Sequence, residues 1–192
     1  GMSRLSYNEL KIGTVFIKDG EPWKVIEYAF VRMQQRKPVV QLKIENLVNG
    51  KVVDYSAHQN EEYEEAEIDT TTVIFIYQSR GEFWFNEKGN PKNRFTLSVD
   101  VIGKAAQFLK TNLEVTAYKF GEKVINVELP IKMDLKVTEA PPAVKGNTAQ
   151  GGTKVVTLET VAKVDAPLFI NEGDILRVNT TTGEYVERVE KV

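Results

Sequence analysis

The sequence predicts an all-β chain of small barrels or sandwiches. Three observations carry this. Apolar residues recur with a period of two along most of the chain, the apolar runs are short, and turn residues separate them at close intervals. The 42% hydrophobic content of the 192 residues suffices for packed cores, so the chain is expected to be folded throughout.

Taken in order, the run from Thr14 to Val31 holds two β-rich segments around Asp19-Gly20, a dipeptide suited to a tight hairpin because Gly accepts positive φ. Val40, Leu42 and Ile44 then alternate with Gln41 and Lys43 and lead to a second turn at Asn49-Gly50. Further strands are expected in TTVIFIYQ, GEFWFNE, LEVTAYKF, KVINVELP, KMDLKVTEA, TKVVTLET, APLFI and DILRVNTTTGEYVERV. One stretch departs from the pattern. SVDVIGKAAQFLKT spaces Val101, Ala105, Phe108 and Leu109 as a helix would and predicts one short helix plugging a barrel, weakened by Gly103.

Composition shifts suggest three modules, 2–66, 67–130 and 131–192. The segment EEYEEAE, Glu61 to Glu67, reads as a solvated edge or linker. Pro130 closes a strand, and the Pro pair and Gly residues of TEAPPAVKGNTAQGGTK favour an ordered loop.

Charge and chemistry exclude several function classes. With 25 Lys plus Arg against 27 Asp plus Glu, the net charge of −2 supplies no global field for nucleic acid, so any basic site must be local. Zero cysteines exclude a disulfide framework and thiolate metal ligands, and His58, the single histidine, has no companions from which to build a metal site. No run approaches a membrane span of about 20 apolar residues. Gly1-Met2-Ser3 lacks the features of a signal peptide, Gly1 reads as a cloning scar, and a soluble cytoplasmic protein is expected. No P-loop, nucleophile elbow or dinucleotide turn is present, the adjacent glutamates lack the differing environments that separate an acid from a base, and neither catalytic residues nor a cofactor is expected. Asn179-Thr180-Thr181 fits the glycan-acceptor pattern but carries no weight without a secretion signal.

Binding is left. From Ala29 to Ile44 the chain holds Arg32, Arg36, Lys37 and Lys43 and no acid, within a hairpin over 28–44. Such a patch can engage phosphate; equally, charges at a hairpin tip can keep an exposed edge from pairing. Trp23, Phe83, Trp84 and Phe85 could stack on bases, but their period-two spacing favours core packing.

The C-terminal run APLFINEGDILRVNTTTGEYVERV, Ala166 to Val189, resembles the signature of the bacterial elongation factor P family: Pro-x-Phe, Gly-Asp/Glu, Asn/Asp-Thr and Gly-x-Tyr-x-x-Arg in order. APPAVKGNTAQGGTKVVTL, GEFWFNE and IGTVFIKDGEPWKVIEYAFV also resemble that family, so the likeness covers essentially the whole chain. It implies an N-terminal SH3-like (KOW-type) barrel and two OB-fold barrels in an L shape that mimics transfer RNA. It further implies a monomeric translation elongation factor that binds both ribosomal subunits beside the peptidyl-tRNA and relieves stalling at consecutive prolines. The tip, Arg32, Met33, Gln34, Gln35, Arg36 and Lys37, would reach the CCA end and ribosomal RNA. Tyr185 and Arg188 would face the tRNA. The loop Gly146, Asn147, Thr148, Gly151 and Gly152 would face the small subunit and the exit-site codon of the mRNA, with Asn147 where the family usually has an acid. Counted without gaps from Phe30-Val31, the family's modifiable Lys falls on Gln35, which offers no amine to acylate and no guanidinium to glycosylate; a shifted register would bring up Arg36 or Lys37. A tip without Gly and with Pro38 is expected to be narrowed in conformation. The other class of function compatible with these barrels is general single-stranded nucleic-acid binding.

Overall fold

The computed structural model describes residues 3–32, 34–143 and 152–192. Among them the first six strands, β1 (Arg4–Ser6), β2 (Val15–Lys18), β3 (Glu21–Val31), β4 (Val39–Asn46), β5 (Val52–His58) and β6 (Glu62–Glu65), form one sheet in the order β1-β6-β2-β3-β4-β5. Both predicted hairpins are present. Asp19 and Gly20 take φ of 54° and 77°, the paired left-handed residues that match the twist of the flanking strands. At the second turn Asn46 is buried, and its Oδ1 accepts the amides of Val48 (2.8 Å) and Asn49 (3.1 Å), which satisfies a polar side chain in the core. Phe16, Val25, Val40, Leu42 and Ile44 alternate inward, and the indole of Trp23 packs with them while donating to the Lys18 carbonyl at 3.2 Å.

The acidic segment requires a correction. Glu62–Glu65 is not a linker but a strand hydrogen-bonded between β1 and β2. Its period of two was hidden by charge: Tyr63 points into the core, edge-on to Phe16 at 5.8 Å, while glutamates flank it. Burying one such ring contributes about 2 kcal/mol, enough to hold a short strand whose other face is solvated.

The second sheet runs β11-β10-β7-β8-β9, from β7 (Ile68–Ser79), β8 (Glu82–Glu87), β9 (Asn90–Ser98), β10 (Glu114–Phe120) and β11 (Lys123–Glu128). The third runs β14-β13-β12-β15-β16, from β12 (Lys132–Glu139), β13 (Thr153–Leu158), β14 (Lys163–Pro167), β15 (Ile175–Asn179) and β16 (Glu184–Glu190). Both place their first strand centrally, the next two on one side and the last two on the other. In the third sheet the edge strands β14 and β16 meet, so the sheet curls on itself. The chain is all-β apart from short helical turns.

Three local expectations are revised. The single helix is instead one α-turn, α1 (Val99–Ile102), followed by a 3-10 segment, Gly103–Phe108, because Gly103 at φ 81° breaks the path; Phe108 and Leu109 are buried as that spacing implied, but Val101 and Ala105 are only half-buried and Ala106 is buried in their place. β9 was not anticipated, since NPKNRFTLS is polar and holds a Pro, as suits an edge strand. In APLFI only Ala166 and Pro167 belong to a strand, and Leu168 and Phe169 form the turn that follows. The proline- and glycine-rich loop lies largely outside the described residues. Packing groups the chain into two compact units, Gly1–Thr71 with Ala117–Val127 and Thr72–Thr116 with Glu128–Val192.

Candidate nucleic-acid interface

The basic stretch sits where β3 turns into β4. The register Tyr28↔Leu42, Phe30↔Val40 and Val31↔Val39 carries the pairing up to the tip, and a bulge between Val25 and Glu27 rotates the outer half of β3. Tyr28 and Phe30 thereby share a face with Leu42 and Val40. That face is braced from the N-terminus. The ring of buried Tyr7 lies 6.4 Å from that of half-exposed Phe30, and Lys11 Nζ sits 4.2 Å over the Tyr28 ring. Tyr7 is held by a 3-10 turn, Tyr7–Glu9, whose entry is closed by Glu9 accepting both the amide (3.0 Å) and hydroxyl (2.9 Å) of Ser6.

At the tip, Arg32, Gln34, Gln35, Arg36 and Lys37 are all exposed, and Met33 lies outside the described residues. None of the three cations has an acidic partner among the described residues. Lys43, the fourth member of the patch, differs: Glu27, just outside the acid-free window, faces it across the hairpin at 3.9 Å. Gln35 holds φ at 65°, in the left-handed region that costs a residue with a side chain roughly 1–2 kcal/mol. The backbone of the tip is therefore strained at Gln35. His58 ends β5 opposite Val39 with an exposed side chain, and no group of three or more potential metal ligands occurs among the described residues.

The C-terminal candidates separate. Tyr185, half-buried on β16 opposite Val178, makes no side-chain hydrogen bond to the described residues. Arg188 is engaged: Nη1 lies 3.5 Å from the Asp174 carboxylate and the guanidinium stacks 4.8 Å over the Phe169 ring. Asp174, which sequence reasoning passed over, is fully buried and also accepts the amides of Val192 (2.8 Å) and Asn171 (2.9 Å). Burial by itself would raise its carboxyl, but those hydrogen bonds and the Arg188 charge hold it below the ordinary carboxylate range. Gly152 is half-buried just before β13, whereas Gly146, Asn147, Thr148 and Gly151 lie outside the described residues. Of the aromatic candidates, Trp23, Phe83 and Phe85 are core residues; Trp84 is not. No helix among the described residues is long and apolar enough to cross a membrane.

Known proteins resemble this chain along its length. Residues 6–62 match the family described as elongation factor P (EF-P) KOW-like domain, and residues 133–188 match elongation factor P, C-terminal. Elongation factor P of Carboxydothermus hydrogenoformans is 35% identical over 185 residues, covering 96% of this chain and 100% of the relative. Elongation factor P of Prochlorococcus marinus (strain MIT 9301) is 37% identical over 184 residues, covering 96% and 98%. Among solved structures, a eukaryotic translation initiation factor 5A from Methanococcus jannaschii superposes with a TM-score of 0.50 at 14% identity, over 66% of this chain and 97% of that one, a likeness of fold alone.

Proposed function

Since the chain belongs to the elongation factor P family of translation elongation factors, we propose that it binds the ribosome beside the peptidyl-tRNA and stimulates peptide-bond formation where consecutive prolines stall it. The observation that carries the reading is the tip: three cations, Arg32, Arg36 and Lys37, exposed and without an acidic partner among the described residues, around Gln35, in a chain whose net charge is −2. Cations of this kind hold phosphate backbones and fix register without reading sequence. Gln35 supplies two amide donors and one acceptor to the CCA end, in place of the longer modified side chain usual in the family. Acceleration then comes from positioning, because holding the peptidyl-tRNA in a reactive geometry removes entropy from the barrier. The factor needs no proton-transferring group of its own.

In this reading residues 2–66 form the tip-bearing module, and 67–130 and 131–192 form the two others of a monomer. Tyr185 and Arg188 face the tRNA, Arg188 with a guanidinium already fixed by Asp174 rather than free to swing. The loop 146–152 is directed to the small subunit and the exit-site codon.

The test is synthesis of a polyproline peptide in a purified translation system supplied with stoichiometric factor. Stimulation by the wild type, lost in Gln35→Ala and kept in Arg32→Ala, supports the division of labour at the tip. No stimulation by the wild type defeats the function, and loss in Arg32→Ala with retention in Gln35→Ala defeats the role given to Gln35.

A further inference from the structure

The second sheet carries an aromatic pair on its outer face that the hairpin function does not use. Along β8, Phe83 and Phe85 are 5% and 0% exposed, so Trp84 between them faces outward. In β7 a register shift between Phe75 and Tyr77 turns Tyr77 to the same outer face, directly opposite Trp84. The two rings are nearly parallel, 9° apart with centroids at 6.0 Å, and Tyr77 is 44% exposed. The pairings Trp84↔Thr96 and Asn86↔Arg94 continue that face onto β9. Arg94 is exposed, and its one contact among the described residues is a long Nε bond of 3.4 Å to the Pro91 carbonyl, so its terminal nitrogens are free. Glu82, opposite Ser98, lies on this face, and Glu114, tied to Lys88 at 2.7 Å, lies outward on β10.

Topology does not demand this pair. The third sheet has the same strand order, and β13, which stands where β8 stands, presents Thr153, Val155 and Thr157 outward with no ring among them. Cross-strand aromatic pairing would account for the rings as sheet stabilisers, but not for an unpaired guanidinium two residues along the face. Parallel rings on the first and second strands beside a free Arg on the third strand of an OB-type sheet offer what an unpaired nucleotide needs, a flat apolar platform and a cation for its phosphate.

We propose that Tyr77, Trp84 and Arg94 form a stacking site for an unpaired RNA nucleotide, the base lying on the rings and Arg94 meeting the adjacent phosphate. The site is separate from the hairpin tip and does not depend on the function proposed for it. With one phosphate engaged, binding depends weakly on salt, with a log–log slope of about −0.7.

The test uses the whole protein and a labelled ten-nucleotide single-stranded RNA. Saturable quenching of tryptophan fluorescence is expected, and Trp84→Phe removes it because Trp23 is buried in another sheet. By anisotropy, Trp84→Ala and Tyr77→Ala weaken binding roughly 5- to 150-fold, the range of one lost base stack, while Trp84→Phe and Tyr77→Phe restore most of it. Arg94→Ala removes the salt slope. Absence of saturable quenching, equal binding of duplex RNA or polyphosphate, or no loss in either alanine variant overturns the proposal. Urea midpoints of both alanine variants are measured alongside. Should either unfold, quenching in the wild type and its absence in Trp84→Phe decide the matter.

Discussion

Arg188 and Asp174 are joined at 3.5 Å, with the carboxylate fully buried and the guanidinium stacked over Phe169. The pair fastens the last strand of the chain to the turn before β15, and the Val192 amide on the other carboxylate oxygen fastens the C-terminus as well. Removing Asp174 would leave the Val192 and Asn171 donors and the Arg188 charge without their acceptor.

Asp174→Ala is therefore expected to cost roughly 3 kcal/mol at neutral pH, read as a urea midpoint. The pH dependence has a definite sign. The Asp174 carboxyl lies below its ordinary value, so its contribution is fully present above the unfolded value of about 4 and is lost as pH falls through the folded one. Glu159, lowered despite its burial by Lys110 at 2.6 Å and the Lys136 amide, acts in the same direction. The wild-type midpoint should fall below about pH 4, and that of Asp174→Asn should fall less steeply. Parallel curves for the two proteins would remove Asp174 from the account.

Thr180 makes a smaller, cleaner case. Buried after β15, it donates its hydroxyl to the Pro130 carbonyl at 2.7 Å, while its amide donates to Ile131. Thr180→Val keeps the shape and the backbone bond but leaves Pro130 without that donor. A loss of about 1 kcal/mol in urea is expected. An unchanged midpoint would mean that the Pro130 oxygen finds water.

Much of the motif that announced the family turns out to specify the fold. Asp174 is a buried hub, the Asn179 side chain accepts the Thr181 and Thr182 amides, Thr180 clamps Pro130, and Gly183 at φ 79° makes the turn into β16. The hairpins were legible because Asp-Gly and Asn-Gly state their backbone requirement locally. β6 was not, because five of the seven residues from Glu61 to Glu67 advertise charge, while the partner that makes Tyr63 a core residue is distant in sequence. Trp84 was misread for a related reason: a period of two says that neighbours face oppositely, but it does not say which of Phe83, Trp84 and Phe85 faces out. Nor does composition betray a left-handed Gln35. Its conformation follows from the seven residues the chain has in which to reverse between Val31 and Val39.

Gly173→Ala should be strongly unfavourable for a backbone reason. Gly173 holds φ at 95°, where residues with a side chain are strained, and a Cβ there would fall 2.8 Å from Val192 Cγ2. Val192 is exposed, so its side chain can move aside. A cost of about 1–3 kcal/mol is expected, and Val192→Ala in the same protein should recover little of it. Full recovery would show that the clash, not the dihedral angle, set the cost.

Gln35 allows backbone and amide to be separated at the tip. Gln35→Gly relieves a left-handed conformation worth roughly 1–2 kcal/mol but gives the unfolded chain freedom worth about 0.5–1, so its stability should stay within about 1 kcal/mol of the wild type. Asn tolerates the same φ and keeps the amide one methylene nearer the backbone. If the amide acts on the CCA end as proposed, polyproline synthesis should fall from Gln to Asn and further to Ala and Gly, while urea midpoints scarcely order them. Ala keeps the side chain's restriction of φ and Gly does not, so a factor that worked by stiffness alone would instead leave Ala active and silence Gly. Measuring both variants in the same synthesis reaction therefore decides whether the tip acts through the group it presents or through the shape it holds.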